Sequence, residues 1–216
     1  LNGRLLSPAI MALKFFYFDL GKVLVDFSVE QMLAQVGAAA GIEPEKVRAI
    51  LFDNGLMREH ESGRLSDRGF HEAFCAAAGA RPDYDTLAAA ASEIFTLNEP
   101  MLPLVRELRQ AGRRLGILSN TCAVHWDYCR NHYPLLIENF AVHALSFRLG
   151  AVKPDAAIFR AAAGLADVRP DEIFFCDDIA EHVVGARAVG FDAVQFTSAA
   201  ALADALRQRG VSLDGE

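Results

Sequence analysis

Residues 14–21 read KFFYFDLG: Lys14, the run Phe15-Phe16-Tyr17-Phe18, then Asp19, Leu20 and Gly21. Apolar side chains at every position, rather than at alternate ones, mark a strand covered on both faces, the condition of a strand inside a parallel sheet flanked by helices. The run stops abruptly at a carboxylate and a glycine, as a buried strand does where it enters a loop. Similar runs recur at RRLGILSN (113–120), FAVHALS (140–146), EIFFCDD (172–178) and FDAVQF (191–196). Helical patterns lie between them. After Lys153, Pro154 opens a stretch that puts Ile158, Phe159, Ala162 and Leu165 on one face. After Asp178, Ile179, Val183 and Ala186 share a face before a stop at Gly190. Strands alternating with helices imply right-handed crossovers and active residues at the carboxyl ends of the strands. The predicted fold is α/β, a doubly wound parallel sheet.

Between about residues 28 and 98 the strand signal vanishes and amphipathic helices replace it. Val29, Met32, Leu33 and Val36 share a face, as do Val47, Ile50 and Leu51. Ser66 suits the N-cap of a helix carrying Phe70 and Phe74 to Gly79, and Asp85 suits the start of one carrying Leu87, Ala91 and Ile94. Asn98-Glu99-Pro100 then returns the chain to the sheet, with a helix from Pro103 to Gly112. The expected division is a core of residues 14–27 and 99–216, a small helical insert of residues 28–98, and an N-terminal extension of residues 1–13, with Met11 just ahead of the first strand.

A chain of 216 residues suffices for one α/β domain plus a small inserted module. Its 52% apolar and 23% charged residues are the balance of a globular protein with a packed core. A net charge of -7 argues against a surface built for nucleic acid or anionic membrane, while leaving room for a local anion site. No stretch reaches the roughly 20 apolar residues of a membrane helix, and the opening LNGRLLSPAI lacks the apolar region of a secretory signal, so a cytoplasmic location is expected. The four cysteines form no C-x-x-C pair and no zinc pattern with histidine; Cys122 and Cys176 are read as small buried thiols.

The chemistry sits at the strand ends. Asp19, held where backbone and loops can desolvate and orient it, can serve as a nucleophile. Ser119-Asn120-Thr121 places a hydroxyl and main-chain N–H groups where anionic oxygens can be held. Lys153 stands just before a helix, able to set an ammonium beside developing charge on a phosphoryl group. Asp177 and Asp178 are two adjacent carboxylates after an apolar strand, a costly pairing without a cation, and Mg2+ suits it. Taken singly, each has an ordinary explanation as a turn cap, a solvated side chain or a helix cap. Their joint occurrence, each at or just beyond a strand end, carries the weight.

In that order the segments FDLGKVL, LSNT, GAVKPDAAIF and FFCDDIAEHVVGARAVG resemble the four motifs of the haloacid dehalogenase superfamily, over about Lys14 to Phe196, with residues 28–98 in the place of its helical C1-type cap. The resemblance implies a Rossmann-like core and a Mg2+-dependent phosphohydrolase acting on a small phosphomonoester. Asp19 would attack phosphorus to form an aspartyl-phosphate. Mg2+ would be held by Asp19, the carbonyl of Gly21 and Asp178, with Asp177 supporting it; Ser119, Asn120 and Lys153 would bind the phosphate. Two departures stand out. The family usually carries a second Asp two residues after the nucleophile as general acid/base, and Gly21 stands there, followed by Lys22. The resulting D-L-G form resembles a subset that includes bacterial α-glucose-1-phosphate phosphatases, and the DDI run is similar to the phosphatase domain of soluble epoxide hydrolases. An anomeric leaving oxygen depends less on the absent acid, which favours sugar 1-phosphates. His182 takes a position where Asn or Asp is usual and reads as a surface helix histidine, with a proton relay as the alternative. In the insert, MREHESGRLS gathers Arg58, His60, Glu61 and Arg64, of which His60 and Glu61 are candidate specificity residues; Asp26 near the hinge reads as structural. Two other readings share these residues: a metal-independent 2-haloacid dehalogenase, and a catalytically weak phosphate-binding or regulatory protein.

Overall fold

A computed structural model describes residues 13–213. Seven strands are present among them: β1 (Phe15–Phe18), β2 (Val25–Asp26), β3 (Thr96–Leu97), β4 (Arg114–Ser119), β5 (Val142–Leu145), β6 (Ile173–Asp177) and β7 (Asp192–Gln195). Five form one parallel sheet in the order β5-β4-β1-β6-β7. The expected Rossmann-like α/β architecture is present, and all five long runs are strands of it. From β1 the chain builds outward through β4 and β5, then crosses back to β6 and β7. The reversal of direction therefore falls on either side of β1. Phe18 is in register with Ile117 on one side and Cys176 on the other, so Asp19, Ser119 and Asp177 end on the same edge.

The continuous apolar character of β1 has the cause inferred from its sequence. Phe16 and Phe18 enter a core layer with Leu104, Leu115 and Phe174, while Phe15 and Tyr17 enter the opposite layer with Ile158, Phe159 and Phe175. Tyr17 keeps its hydroxyl satisfied by donating to the Ala162 carbonyl at 2.9 Å. Gly116 is required beside it, since a Cβ there would lie 2.6 Å from the Tyr17 ring.

The helical insert leaves and rejoins the sheet domain through β2 and β3, an antiparallel pair in which Val25 faces Leu97. A two-residue strand is too short to show a period, so the sequence shows only helices there. The insert holds helices Val29–Ala40, Pro44–Arg48, Leu56–Glu61, Asp67–Ala78 and Tyr84–Ser92, with a π turn at Ala49–Asp53. Met32, Leu33, Val36, Val47, Ile50, Phe74 and Leu87 give it an apolar cluster of its own. Ser66 is the expected N-cap, accepting from Gly69 N–H at 3.1 Å. The last of these helices starts earlier than Asp85, because Asp83 captures the Thr86 N–H at 3.1 Å.

Two core helices also begin later than their patterns suggest. Helix Ala156–Ala166 starts after Asp155, which leaves Pro154 outside it, and Leu165 near its end is exposed. Helix Ala180–Ala188 leaves Ile179 outside and exposed. In both places the preceding residues are committed to the site described below. Leu13, assigned to the extension, packs against the core; residues 1–12 of that extension lie outside the described residues. No helix among the described residues is long and apolar enough to cross a membrane.

Candidate active site

Lys153 enters the sheet edge from the loop after β5 and places its Nζ 3.0 Å from Asp19 Oδ1 and 2.5 Å from Asp177 Oδ2. It also donates to the Leu118 carbonyl at 3.1 Å. The ammonium is wholly buried, so three acceptors replace the water it lost. Burial alone would push its pKa down; the two carboxylates outweigh that and raise it. Lys153 is thus a cation at every physiological pH. Its main chain is held as firmly, because Asn120 Nδ2 donates to the Lys153 carbonyl at 3.0 Å and Asn120 Oδ1 accepts the Lys153 N–H at 2.7 Å. The Asn120 side chain, expected on phosphate, is spent on positioning Lys153. Ser119 is buried at the end of β4, on the same edge.

Asp177 is fully buried and saturated. Besides Lys153, it accepts from Ile179 N–H at 2.8 Å and takes His182 Nδ1 at 3.0 Å from both its oxygens. Burial pushes its carboxyl upward, and Lys153 and His182 more than reverse this, leaving it at about 2. His182 is therefore not the surface histidine its pattern suggested. Helix Ala180–Ala188 packs His182, Val183 and Ala186 inward, and the ring meets the buried Asp177 carboxylate.

Asp19 sits at the opposite extreme. Burial raises its carboxyl to about 7, with Lys153 opposing and Asp177 and Asp178 adding to the rise. Its Oδ1 accepts the Leu20 N–H at 2.7 Å as well as Lys153, which fixes the plane of the carboxylate. Asp178 is half-buried, and burial and Asp177 raise its pKa also. Three carboxylates thus face one ammonium, a surplus of negative charge that adds to burial in raising Asp19 and Asp178. A divalent cation fits a surplus of that sign on hard oxygen donors. Ligand atoms of Asp19, Asp177 and His182 lie within 4.8 Å of one another, with Asp178 outside that cluster. Asp177 and His182 are occupied with each other, and Asp178 is the half-buried carboxylate of the three.

The insert closes on this edge. Ser146 Oγ, buried after β5, contacts the Glu61 carbonyl at 2.6 Å and the Thr121 carbonyl at 3.0 Å, and accepts the Thr121 N–H at 2.9 Å. Beside it Gly63 lies so close to Phe147 that a Cβ would collide with the Phe147 carbonyl. His60 is tied by Nε2 to Asp67 Oδ1 at 2.7 Å and stacks on Phe70 at 4.4 Å. It lines a cavity of about 40 Å3 with Met57, Phe70, Leu87, Cys122 and His125. The Glu61 carboxyl lies in the field of His125, Lys153 and His182, and burial raises its pKa. Ser146 and His125 carry no signal in the sequence beyond following the strand ends, and were missed. All four cysteines are buried free thiols.

A family model described as "haloacid dehalogenase-like hydrolase" matches residues 13–190. The chain belongs to this family. Haloacid dehalogenase-like hydrolases of known structure share its fold. A predicted HAD-like family hydrolase from Porphyromonas gingivalis superimposes with a TM-score of 0.80 at 24% identity, over 90% of this chain and 98% of that one. A HAD family enzyme from Bacteroides thetaiotaomicron, in complex with magnesium and inorganic phosphate, gives 0.76 at 24% identity, over 87% and 96%. An L-2-haloacid dehalogenase from Xanthobacter autotrophicus with chloropropionic acid covalently bound gives 0.62 at 20% identity, over 93% and 84%.

Proposed function

We propose that this haloacid dehalogenase-like hydrolase is a Mg2+-dependent phosphohydrolase of small phosphomonoesters, sugar 1-phosphates among them, with the helical insert of residues 28–98 acting as its cap. The observation that carries the reading is the buried Lys153 ammonium between Asp19 and Asp177, with a third carboxylate, Asp178, beside them. That arrangement keeps one oriented carboxylate beside a permanent cation and retains negative charge for a metal. The magnesium and phosphate bound by the Bacteroides enzyme support the choice of ion and substrate class.

Asp19 attacks phosphorus, forming an aspartyl-phosphate as the ester oxygen leaves. Lys153 holds the attacking carboxylate in plane and offsets charge on the phosphoryl oxygens, and Ser119 Oγ binds one of those oxygens. Asp177, fixed by His182, keeps Lys153 in place from behind. Mg2+, held by Asp19, the Gly21 carbonyl and Asp178, supplies further charge neutralisation when bound. Water then attacks the aspartyl-phosphate, releasing phosphate and restoring Asp19.

The dehalogenase reading uses the same nucleophile on carbon, and the Xanthobacter enzyme shares the fold. The adjacent Asp177 and Asp178 favour phosphorus and a metal over it. A screen of sugar phosphates with and without Mg2+, with Asp19→Asn as control, separates the readings. Metal-dependent phosphate release abolished by the substitution supports the proposal. Chloride release from 2-chloroacids without metal, or phosphate binding without turnover, overturns it.

A further inference from the structure

Position 21 carries no side-chain acid, and the space beside it is taken. A Cβ on Gly21 would lie 2.8 Å from Cε1 of Phe27, whose ring occupies the space such a side chain would need. The ring packs against Phe95 at 5.7 Å, and Lys22 Nζ donates to the Phe27 carbonyl at 2.6 Å while lying 4.9 Å from the ring centroid. The proton that a leaving alkoxide requires has to come from elsewhere.

The other carboxylates at the strand ends are engaged. Asp177 is saturated by Lys153, His182 and Ile179 N–H, Asp19 is the nucleophile, and Asp178 belongs to the ion. Glu61 differs from all of these. It ends helix Leu56–Glu61 in the insert, and its carboxyl makes no hydrogen bond or ion pair with any described residue. Its main chain is fastened to the core by Ser146 Oγ, which also holds Thr121, two residues beyond Ser119. The close seat of Gly63 on Phe147 fixes the turn that follows. A side chain carried on so firmly docked a segment has a defined position relative to the sheet edge.

From the docking of the Glu61 segment against the sheet edge, together with the absence of an acid at position 21, we infer that Glu61 is the general acid/base of the reaction, supplied by the insert instead of the core. The groups that face it are Lys153, His125 from helix Ala123–His132 and His182 from helix Ala180–Ala188. Burial raises its pKa in spite of these three, the direction that suits a proton donor. The inference rests on the phosphohydrolase reading. In the first step an Asp19 oxygen bonds to phosphorus, the bond from phosphorus to the ester oxygen breaks, and Glu61 gives its proton to that oxygen. In the second, the Glu61 carboxylate takes a proton from the attacking water, its oxygen bonds to phosphorus, and the bond to Asp19 breaks. Glu61 ends protonated and Asp19 ionised, as they began.

Leaving-group dependence tests this. With saturating Mg2+, the single-turnover rate of alcohol release, which reads the first step alone, is measured across pH for wild type and Glu61→Gln on a primary alkyl phosphate and on p-nitrophenyl phosphate, whose leaving oxygen needs no proton. The expected result is a loss of about 100-fold or more on the alkyl ester, a much smaller loss on the aryl ester, and disappearance of the alkaline limb of the alkyl-ester profile. Equal losses on both esters, or an alkyl-ester rate and alkaline limb unchanged by the substitution, overturn the assignment while leaving the phosphohydrolase reading intact. A wild type that releases phosphate from neither ester overturns both.

Discussion

Asn120 grips Lys153 by its main chain at both ends, donating from Nδ2 to the Lys153 carbonyl at 3.0 Å and accepting the Lys153 N–H on Oδ1 at 2.7 Å. An asparagine is needed for this, since the contact uses one donor and one acceptor on a single planar group. Asn120→Ala removes both hydrogen bonds and is expected to cost about 1–3 kcal/mol of stability, read by denaturant unfolding. It also frees the Lys153 main chain, and a fall in kcat of about 10-fold or more is expected on any phosphate ester. Asn120→Asp keeps the acceptor and loses the donor, so it should fall between the two. An alanine variant with wild-type kcat would refute the positioning role.

The surplus of negative charge predicts how metal changes stability. Without Mg2+, Asp19 and Asp178 ionise at a penalty in the fold, because both pKa values are raised. Added Mg2+ at about 100 times its Kd is expected to stabilise the wild type by about 2.7 kcal/mol. Asp178→Asn should abolish that gain and raise the melting temperature of the metal-free protein at pH 8. Thermal melts with and without the ion decide it, and an equal Mg2+ response in both proteins would count against Asp178 as a ligand.

Phe27 crowds the position of Gly21. Gly21→Asp should therefore destabilise by about 1–3 kcal/mol through overpacking, and should not restore activity to Glu61→Gln. Phe27→Ala opens the space, so the two substitutions together should cost less than the sum of their separate losses. Additive losses in that double-mutant cycle would show that the ring does not set the residue.

The contact between His60 and Asp67 predicts a pH dependence. Burial disfavours the charged imidazolium, but Cys122 and the Asp67 carboxylate outweigh it and raise the pKa of His60 above its ordinary value. A group whose pKa is raised by folding contributes stability that is fully present below its unfolded value, about 6.5, and is lost as pH climbs through the folded value. Wild-type stability should thus decline from about pH 6 upward. Asp67→Asn should flatten the decline, and unfolding curves at pH 6 and pH 8.5 measure it.

The sheet was legible because burial on both faces writes itself into consecutive residues: Phe15 to Phe18 can lie nowhere but between two layers. The strand ends were legible for the same reason, since Asp19, Ser119 and Asp177 each interrupt an apolar run. The short pair β2 and β3 was not, because two residues have no period. His182 was misread because a helical pattern counts apolar residues, while the inward face of helix Ala180–Ala188 is set by a hydrogen bond to Asp177.

Sequence alone determined the order of the strands along the chain, the residues at their ends and the family to which they point, since these follow from local runs of side chains. Only the tertiary structure decided what those residues do to one another. It set Lys153 between two carboxylates, gave the Asn120 amide to the Lys153 backbone, filled the space at Gly21 with Phe27 and brought Glu61 from the insert to the sheet edge. Such pairings join residues dozens of positions apart, and their energies depend on distance and desolvation, which no local pattern of residues encodes.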